Sequence, residues 1–302
     1  MFSPGFARFG FLIILLLLGI GCDSPNMVPE KITLGVVSYG QEKVSLDKYE
    51  SFKNYIAAKT KSIVELEPAY NELQAIDQIR RKQWDIVFAP PGLAAIAIDK
   101  QLYKPLFSMG EVSGTERSLL IVREDSPIKK MSDLTNKTIA LGQIGSAAGY
   151  YVPLYDLYGL TLAEIRFAPT PKKILQWLED NSVDAGALSE KNFEIYQRQV
   201  SQTKFRNIRI SRWIPPGVVL ISPTVERNRE RQIQKFMNEA PADITADAGY
   251  IPGVKIPEYS QFIQLIKKVK PLETRVKEAP AVLLPQVSTN TNNADAPSSD
   301  KK

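Results

Sequence analysis

The sequence predicts an α/β protein of two lobes with a ligand cleft between them. Apolar, β-branched segments alternate with segments of helical spacing over residues 31–284, a pattern typical of mixed, mostly parallel sheets covered by helices on both faces. Strand-like crossings near residues 114–123 and 213–221 would carry the chain from one lobe to the other and back. About 250 residues are enough to form two modest hydrophobic cores.

We assign residues 31–115 and 220–284 to the first lobe. KITLGVVS (31–38) reads as its first strand, and WDIVFA (84–89), stopped by Pro90-Pro91-Gly92, as its third. The remaining elements follow from the same periodicities. They are a strand at 62–68 and helices at 47–59, 71–83 and 93–100, with helices at 225–238 and 257–268 expected to pack back on this lobe.

Residues 116–219 are assigned to the second lobe. Strands are expected at 117–123, 137–141, 164–168, 183–188, 207–210 and 218–221. Helices are expected at about 147–158, 171–181 and 192–201, the second of them with proline in its first turn. Because the strands and helices alternate again, this region predicts a second sheet and core, and the carboxyl ends of both sheets would face a common crevice.

The first 21 residues read as a lipoprotein signal peptide. Arg8 is followed by FLIILLLL (11–18), an apolar run too short to span a bilayer comfortably but suited to a signal sequence. Cys22, the only cysteine, follows small residues directly, so lipid attachment explains it better than redox chemistry does. The alternative is an uncleaved N-terminal anchor. Either way, we expect an extracytoplasmic protein held on the membrane, by lipid on Cys22 in the first case.

Composition limits the remaining possibilities. Residues 22–30 form a polar tether, and residues 285–302 are so poor in apolar side chains that we expect a disordered tail. Histidine is absent, which excludes a Ser-His-Asp triad and a histidine-based metal site. The net charge of +5 is spread along the chain, with no nucleic-acid-binding motif. We therefore expect a monomeric binding module that is not an enzyme, needs no cofactor and binds no nucleic acid.

Several segments in order resemble the substrate-binding proteins of ABC importers for phosphate, phosphite and phosphonate. They are DIVFAPPG (85–92), IALGQIGSAAGYYVP (139–153), VDAGALSE (183–190) and IPPGVVLIS (214–222). The resemblance implies a periplasmic-binding-protein type II fold that closes on a small anionic ligand and delivers it to a membrane permease. A lipoprotein that senses a ligand for a membrane receptor is the alternative, and an enzyme on the same fold is a third.

The candidate ligand site centres on the loop Gly145, Ser146, Ala147, Ala148 and Gly149. It follows a strand and opens a helix, where free backbone N–H groups favour an anion, although an N-cap serine with close packing would produce the same pattern. Further candidates with equally structural alternatives are Tyr39, Pro91, Gly92, Thr170 and Glu190.

Two family features of the ligand site are missing from this sequence. The family's serine-threonine-serine-glycine is Ser146-Ala147-Ala148-Gly149 here, and Thr170 lies near the place of a family histidine. A hydrogen bond to a charged group contributes roughly 1.5–3 kcal/mol. Because two hydroxyls are lost, phosphonate specificity does not carry over from the resemblance.

Overall fold

The computed structural model of the protein describes residues 30–38, 44–110, 116–200 and 203–284. The predicted signal peptide, Cys22, nearly all of the tether, Tyr39 and the predicted tail lie outside these residues. Within the described part of the chain, no helix is both long and apolar enough to cross a bilayer.

The strands form two larger sheets and one short ribbon. In chain order they are β1 Lys31–Val37, β2 Ile63–Ala69, β3 Ile86–Ala89, β4 Lys104–Met109, β5 Ser118–Arg123, β6 Thr138–Leu141, β7 Thr161–Leu162, β8 Glu164–Phe167, β9 Ala185–Ser189, β10 Phe205–Ile210, β11 Val218–Ile221, β12 Tyr250–Ile251 and β13 Ala281–Val282. The first sheet has the order β12-β4-β11-β3-β1-β2 and the second β10-β5-β9-β6-β8, while β13 pairs with β7.

The helices lie between these strands much as the periodicity predicts. They are α1 Val44–Asp47, α2 Glu50–Thr60, α3 Glu72–Arg80, α4 Pro91–Gln101, α5 Val152–Asp156, α6 Pro171–Glu179, α7 Glu190–Tyr196, α8 Arg227–Asn238, α9 Ala242–Ala248 and α10 Ser260–Val269. A π-helical turn, Ala147–Tyr151, runs directly into α5. Short 3₁₀ turns complete the elements at Met131–Leu134, Gln197–Gln199, Lys270–Leu272 and Arg275–Lys277.

Each sheet is parallel on one side and antiparallel on the other. In the first, β1 runs parallel to β2 and β3, and β11 is antiparallel to β3 and β4. In the second, β6 runs parallel to β8 and β9, and β5 is antiparallel to β9 and β10. Sequence periodicity did not reveal β4, β7, β12 or β13. The parallel halves place the ends of β1, β3, β6 and β9 toward the space between the sheets.

The two chain crossings meet beside this space. Glu116 and Ile214 form an isolated antiparallel bridge, and the N–H of Ile214 donates to the carbonyl of Glu116 at 2.8 Å. These residues fall within or next to the crossings predicted from the sequence. Two backbone segments joined at one point can bend together, which is the arrangement expected of a hinge.

Hydrophobic cores lie on both faces of each larger sheet. In the first sheet, Phe52, Phe88 and Tyr250 meet on one face in edge-to-face contacts. On the opposite face, a second core forms beneath α3 and α4 and extends to Ala147 and Ala148 of the second lobe. This second core therefore continues across the junction of the lobes.

Two expectations about the lobes are corrected. The strand at 218–221, expected in the second lobe, is β11 of the first sheet and lies between β4 and β3. We assigned residues 220–284 to the first lobe, and α8 does pack there through Ile233 and Met237. Val269, Leu272, Val276 and Leu283, however, are buried in the core of the second lobe. Leu283 exchanges backbone hydrogen bonds with the loop before β7, accepting from Gly159 and donating to Leu160. The helix α10 contacts both α4 and α5, so the chain spans both lobes as it ends.

Candidate functional site

A cavity of about 380 Å³ lies between the two sheets, within the range of small-molecule sites. Its walls come from the carboxyl ends of strands and the beginnings of helices in both lobes. Residues on the first-sheet side are Val37, Lys48, Tyr49, Glu72, Phe88, Pro90, Pro91 and Met109. Residues on the second-sheet side are Glu116, Gly142, Gln143, Ser146 to Gly149, Ala168 to Pro171, Ile174, Ala187 to Ser189, Lys191 and Asn192.

The loop after β6 supplies one wall. Ser146 is the N-cap of the helical turn, and its Oγ accepts a hydrogen bond from the N–H of Gly149 at 3.0 Å. Ala147 and Ala148 occupy the next two positions, where backbone N–H groups have no acceptor inside the helix. The carbonyl of Ala148 accepts from the Oγ of Ser118 at 2.6 Å, which ties the turn to β5. The turn thus presents backbone N–H groups at the cavity wall while Ser146 acts as a cap.

Gly92 and Gly145, both predicted at the ligand, are absent from the cavity lining and lie where the two lobes touch. A Cβ at Gly92 would lie 1.9 Å from the carbonyl oxygen of Gly145 and 2.9 Å from the nitrogen of Ala147. Gly145 has φ +108°, and a Cβ there would lie 2.7 Å from the Cβ of Glu72. Only glycine permits this approach without displacement. The two glycines therefore bring the start of α4 against the loop before α5.

Two further helices begin at the cavity. Thr170 is the N-cap of α6 and accepts from the N–H of Lys173 at 3.3 Å, and Ser189 is the N-cap of α7 and accepts from Asn192 at 3.1 Å. Both caps line the cavity. A hydroxyl that accepts a cap bond keeps its own hydrogen. Thr170 is therefore able to donate to a ligand, whereas Ser189 also makes a hydrogen bond with Glu116.

Charged residues that sequence reasoning missed also line the cavity: Lys48, Glu72, Glu116 and Lys191. Burial raises the pKa of Glu116, while a hydrogen bond with Ser189 and the charge of Lys191 act in the opposite direction. Burial and the neighbouring charge of Lys191 lower the pKa of Lys48. Only their positions could have identified these residues from the sequence. Lys48, Glu72 and Lys191 lie at or next to the beginning of a helix, and Glu116 lies at a chain crossing.

Glu190 lies apart from the other candidates. It lines a neighbouring depression with Pro216, Gly217 and Glu194, and it is absent from the cavity lining. Its N–H donates to the carbonyl of Arg117 at 3.0 Å. Pro91 lines both the cavity and this depression. Among the residues that the structure describes, no cluster of acidic, cysteine or histidine side chains could hold a metal ion.

Comparison with protein families gives one match. The model of periplasmic substrate-binding proteins of phosphonate ABC transporters matches residues 34–251. No functionally curated protein matches the sequence significantly. The match covers both sheets apart from the first residues of β1 and includes every described residue of the cavity lining.

Solved structures are similar in fold. A Xanthomonas citri protein bound to chloride ion has a TM-score of 0.66 at 17% identity, covering 80% of this chain and 98% of the other. The binding component of a phosphonate ABC transporter from Pseudomonas aeruginosa has a TM-score of 0.65 at 18% identity, with coverages of 82% and 88%. PhnD1 from Prochlorococcus marinus in complex with methylphosphonate has 0.64 at 14%, with 80% and 98%. The predicted periplasmic-binding-protein type II fold is thus confirmed.

Proposed function

This chain belongs to the family of periplasmic substrate-binding proteins of phosphonate ABC transporters, and we propose that it captures a small phosphonate- or phosphate-like anion between its lobes. A permease in the cytoplasmic membrane would receive the ligand. Closure of the lobes would be driven by a ligand that contacts both of them at once. The family is one of transport proteins, and its members bind their substrates without converting them.

The observation that carries the proposal is the convergence of helix beginnings on one cavity. The turn at Ala147, α6 and α4 all begin there, and they come from both lobes. Each helix N-terminus stabilises a negative group by roughly 0.3–1 kcal/mol, or about 2 kcal/mol where the group is partly buried. In α4 the first backbone N–H is that of Gly92, because Pro90 and Pro91 have none, and Gly92 lies beside the cavity lining and not in it.

Phosphonate itself is only one of the anions to be tested. Ala147 and Ala148 line the cavity without hydroxyls, so the hydroxyl of Ser146, which caps the N–H of Gly149, is the one hydroxyl at these three positions that could donate to a ligand. Backbone N–H groups recognise the charge of an oxyanion but do not separate one tetrahedral oxyanion from another. We therefore propose the class of small oxyanions, with Ser146, Ala147, Ala148, Gly149, Thr170 and Pro91 at the ligand. Tyr39, which lies outside the described residues, and Glu190, which lines the outer depression, stay sequence-based proposals.

The test is a thermal-shift and calorimetric screen of the purified protein against phosphate, phosphite, methylphosphonate, sulfate and small carboxylates. A ligand present at one hundred times its Kd stabilises the folded state by about 2.7 kcal/mol, which is easily seen as a rise in Tm. Ser146→Glu, which adds a bulky negative charge to the wall, should abolish that rise. If a neutral or cationic solute shifts Tm and no anion does, the proposal is wrong.

We further propose that Cys22 carries the lipid that holds the protein outside the cytoplasm. The body begins at Lys31 with β1, so residues 22–30 would be the tether. Cys22→Ser should release the protein from the membrane fraction and remove the incorporation of labelled fatty acid. Retention of Cys22→Ser in the membrane would instead favour an uncleaved anchor.

A further inference from the structure

Two lysines from opposite lobes line the same cavity. Lys48 lies just before α2, on the side of the first sheet, and Lys191 lies in the first turn of α7, on the side of the second. Neither lysine belongs to the segments that carry the family resemblance. Their pairing across the cleft exists only in the tertiary structure.

Lys191 occupies an electrostatically unfavourable position in the first turn of α7, whereas Lys48 lies between the end of α1 and the beginning of α2. The beginning of a helix carries partial positive charge, so a cation there is destabilising. The ion pairs found among the described residues include neither Lys48 nor Lys191. Lys48 instead places its Nζ 4.9 Å from the centroid of the Tyr49 ring. Lys191 also interacts through its charge with Glu116, across the same cavity.

The two ammonium groups also act on each other. The charge of Lys191 contributes to the lowered pKa of Lys48, after burial as the main cause. Without a ligand, this repulsion opposes the approach of the lobes. An anion placed between the lysines replaces the repulsion by two attractions, and it does so only when the lobes are close.

We propose that Lys48 and Lys191 hold the same anion from opposite lobes, so that the negative charge of the ligand is what drives closure. This inference rests on the proposed function, and it identifies the two ammonium groups that bind the charged part of the ligand. It also accounts for Ala147 and Ala148, because two ammonium groups supply the interactions that hydroxyls at those positions would otherwise make.

The two acids of the cavity increase the effect that removing either lysine should have on anion binding. Glu72 and Glu116 line the same walls, and as carboxylates they would repel an anion. The charges of the two lysines balance those of the two acids. The partial positive charges of the helix N-termini therefore determine the sign of the electrostatic potential in the cavity. With one lysine neutralised, the side chains of the cavity become net negative and an anion is disfavoured.

The experiment measures anion binding by Lys48→Gln, Lys191→Gln and matched controls. Methylphosphonate and inorganic phosphate are the probes, and dimethyl methylphosphonate is their uncharged analogue. Lys172→Gln removes a lysine at the beginning of α6 that is absent from the cavity lining. Lys59→Gln removes a lysine that contacts the ring of Tyr55 at 5.7 Å, as Lys48 contacts that of Tyr49. Lys48→Arg and Lys191→Arg keep the charge.

Each glutamine variant at the cavity should bind the anions about 10- to 100-fold more weakly, which corresponds to one charged hydrogen bond. The controls should bind as the wild type does, and the arginine variants should recover most of the affinity. Small-angle scattering gives a second measurement, which would not change if the lysines served only to stabilise the fold. Without ligand, either glutamine variant should be more compact than the wild type, because the repulsion across the cleft is gone.

The outcomes separate the inference from the function on which it rests. If the wild type binds none of the anions, the proposed function fails and this inference fails with it. If the wild type binds them and both glutamine variants keep its affinity, the proposed function stands and the lysine pair is wrong. If only one variant is weakened, the anion is held from one lobe and the two-sided arrangement is overturned.

Discussion

The contact between Gly92 and Gly145 allows a sharp test of how the lobes close. In Gly92→Ala the new Cβ would lie 1.9 Å from the carbonyl oxygen of Gly145. Non-bonded heavy atoms settle about 3.5 Å apart, so the two segments must separate by roughly 1.5 Å. Both neighbours are backbone atoms and cannot rotate away, as the end of a side chain could.

The expected magnitude follows from the cost of overpacking. Extra methyl groups in tight contacts cost about 1–3 kcal/mol. In Gly92→Ala this cost falls on the closed arrangement, in which the lobes touch, and the open form escapes it by separation. At 1.4 kcal/mol for each factor of ten, ligand affinity should fall by about 5- to 140-fold. The Tm of the ligand-free protein should change little.

Gly35→Ala is the matched control. Its Cβ would lie 2.0 Å from Cδ2 of the buried Trp84, so the clash is comparably severe but contained within the first lobe, and neither residue lines the cavity. We expect this variant to have a lower Tm than the wild type, while its folded form binds the ligand with unchanged affinity. Calorimetric titration with the anion found in the screen and thermal melts without it measure the two quantities. Unchanged affinity in Gly92→Ala would refute the reasoning that this contact belongs to the ligand-bound state.

Three further predictions concern caps, titration and the end of the chain. Ser146→Ala removes the cap on the N–H of Gly149 and should lower stability by about 0.5–2 kcal/mol in urea titrations; an unchanged midpoint would contradict this. Burial raises the pKa of Glu116 above its ordinary value of 4.5, so the folded state binds the proton more tightly than the unfolded state does. The free energy of unfolding should therefore fall as the pH rises from 4.5 through the raised pKa of the folded state. Glu116→Gln should flatten that part of the stability–pH curve, and an identical curve would refute the assignment. Leu272→Ala opens a cavity in the second-lobe core and should cost about 2–5 kcal/mol, whereas a loss below 1 kcal/mol would mean that the end of the chain is not part of that core.

Local patterns predicted the helices and strands that have a clear period. The strand before Gly92 and the helix after Ser146 were both located from sequence, because strand stops and N-caps depend on neighbouring residues alone. The strands β4, β7, β12 and β13 were missed. They are short or only partly apolar, and their pairing with β11, β13, β4 and β7 depends on partners far along the chain.

The distinction between Glu190 and Lys191 shows where local reasoning ends. Both lie in the first turn of α7, and the resemblance singled out the acid. Successive residues of a helix are rotated by about 100°, so neighbours point to different surfaces. Lys191 consequently reaches the cavity as well as the depression beside it, whereas Glu190 lines the depression alone.

The sequence by itself determined the two-lobed α/β class, the family and the loop at Ser146, because these depend on periodicity and on residues next to one another. Only the tertiary structure decided which charges share the cavity. Lys48, Glu116 and Lys191 come from three separated segments that the folding of two sheets brings to one place. It also decided that Gly92 and Gly145 serve as a contact between lobes, since the need for glycine arises from a backbone more than fifty positions away in the sequence.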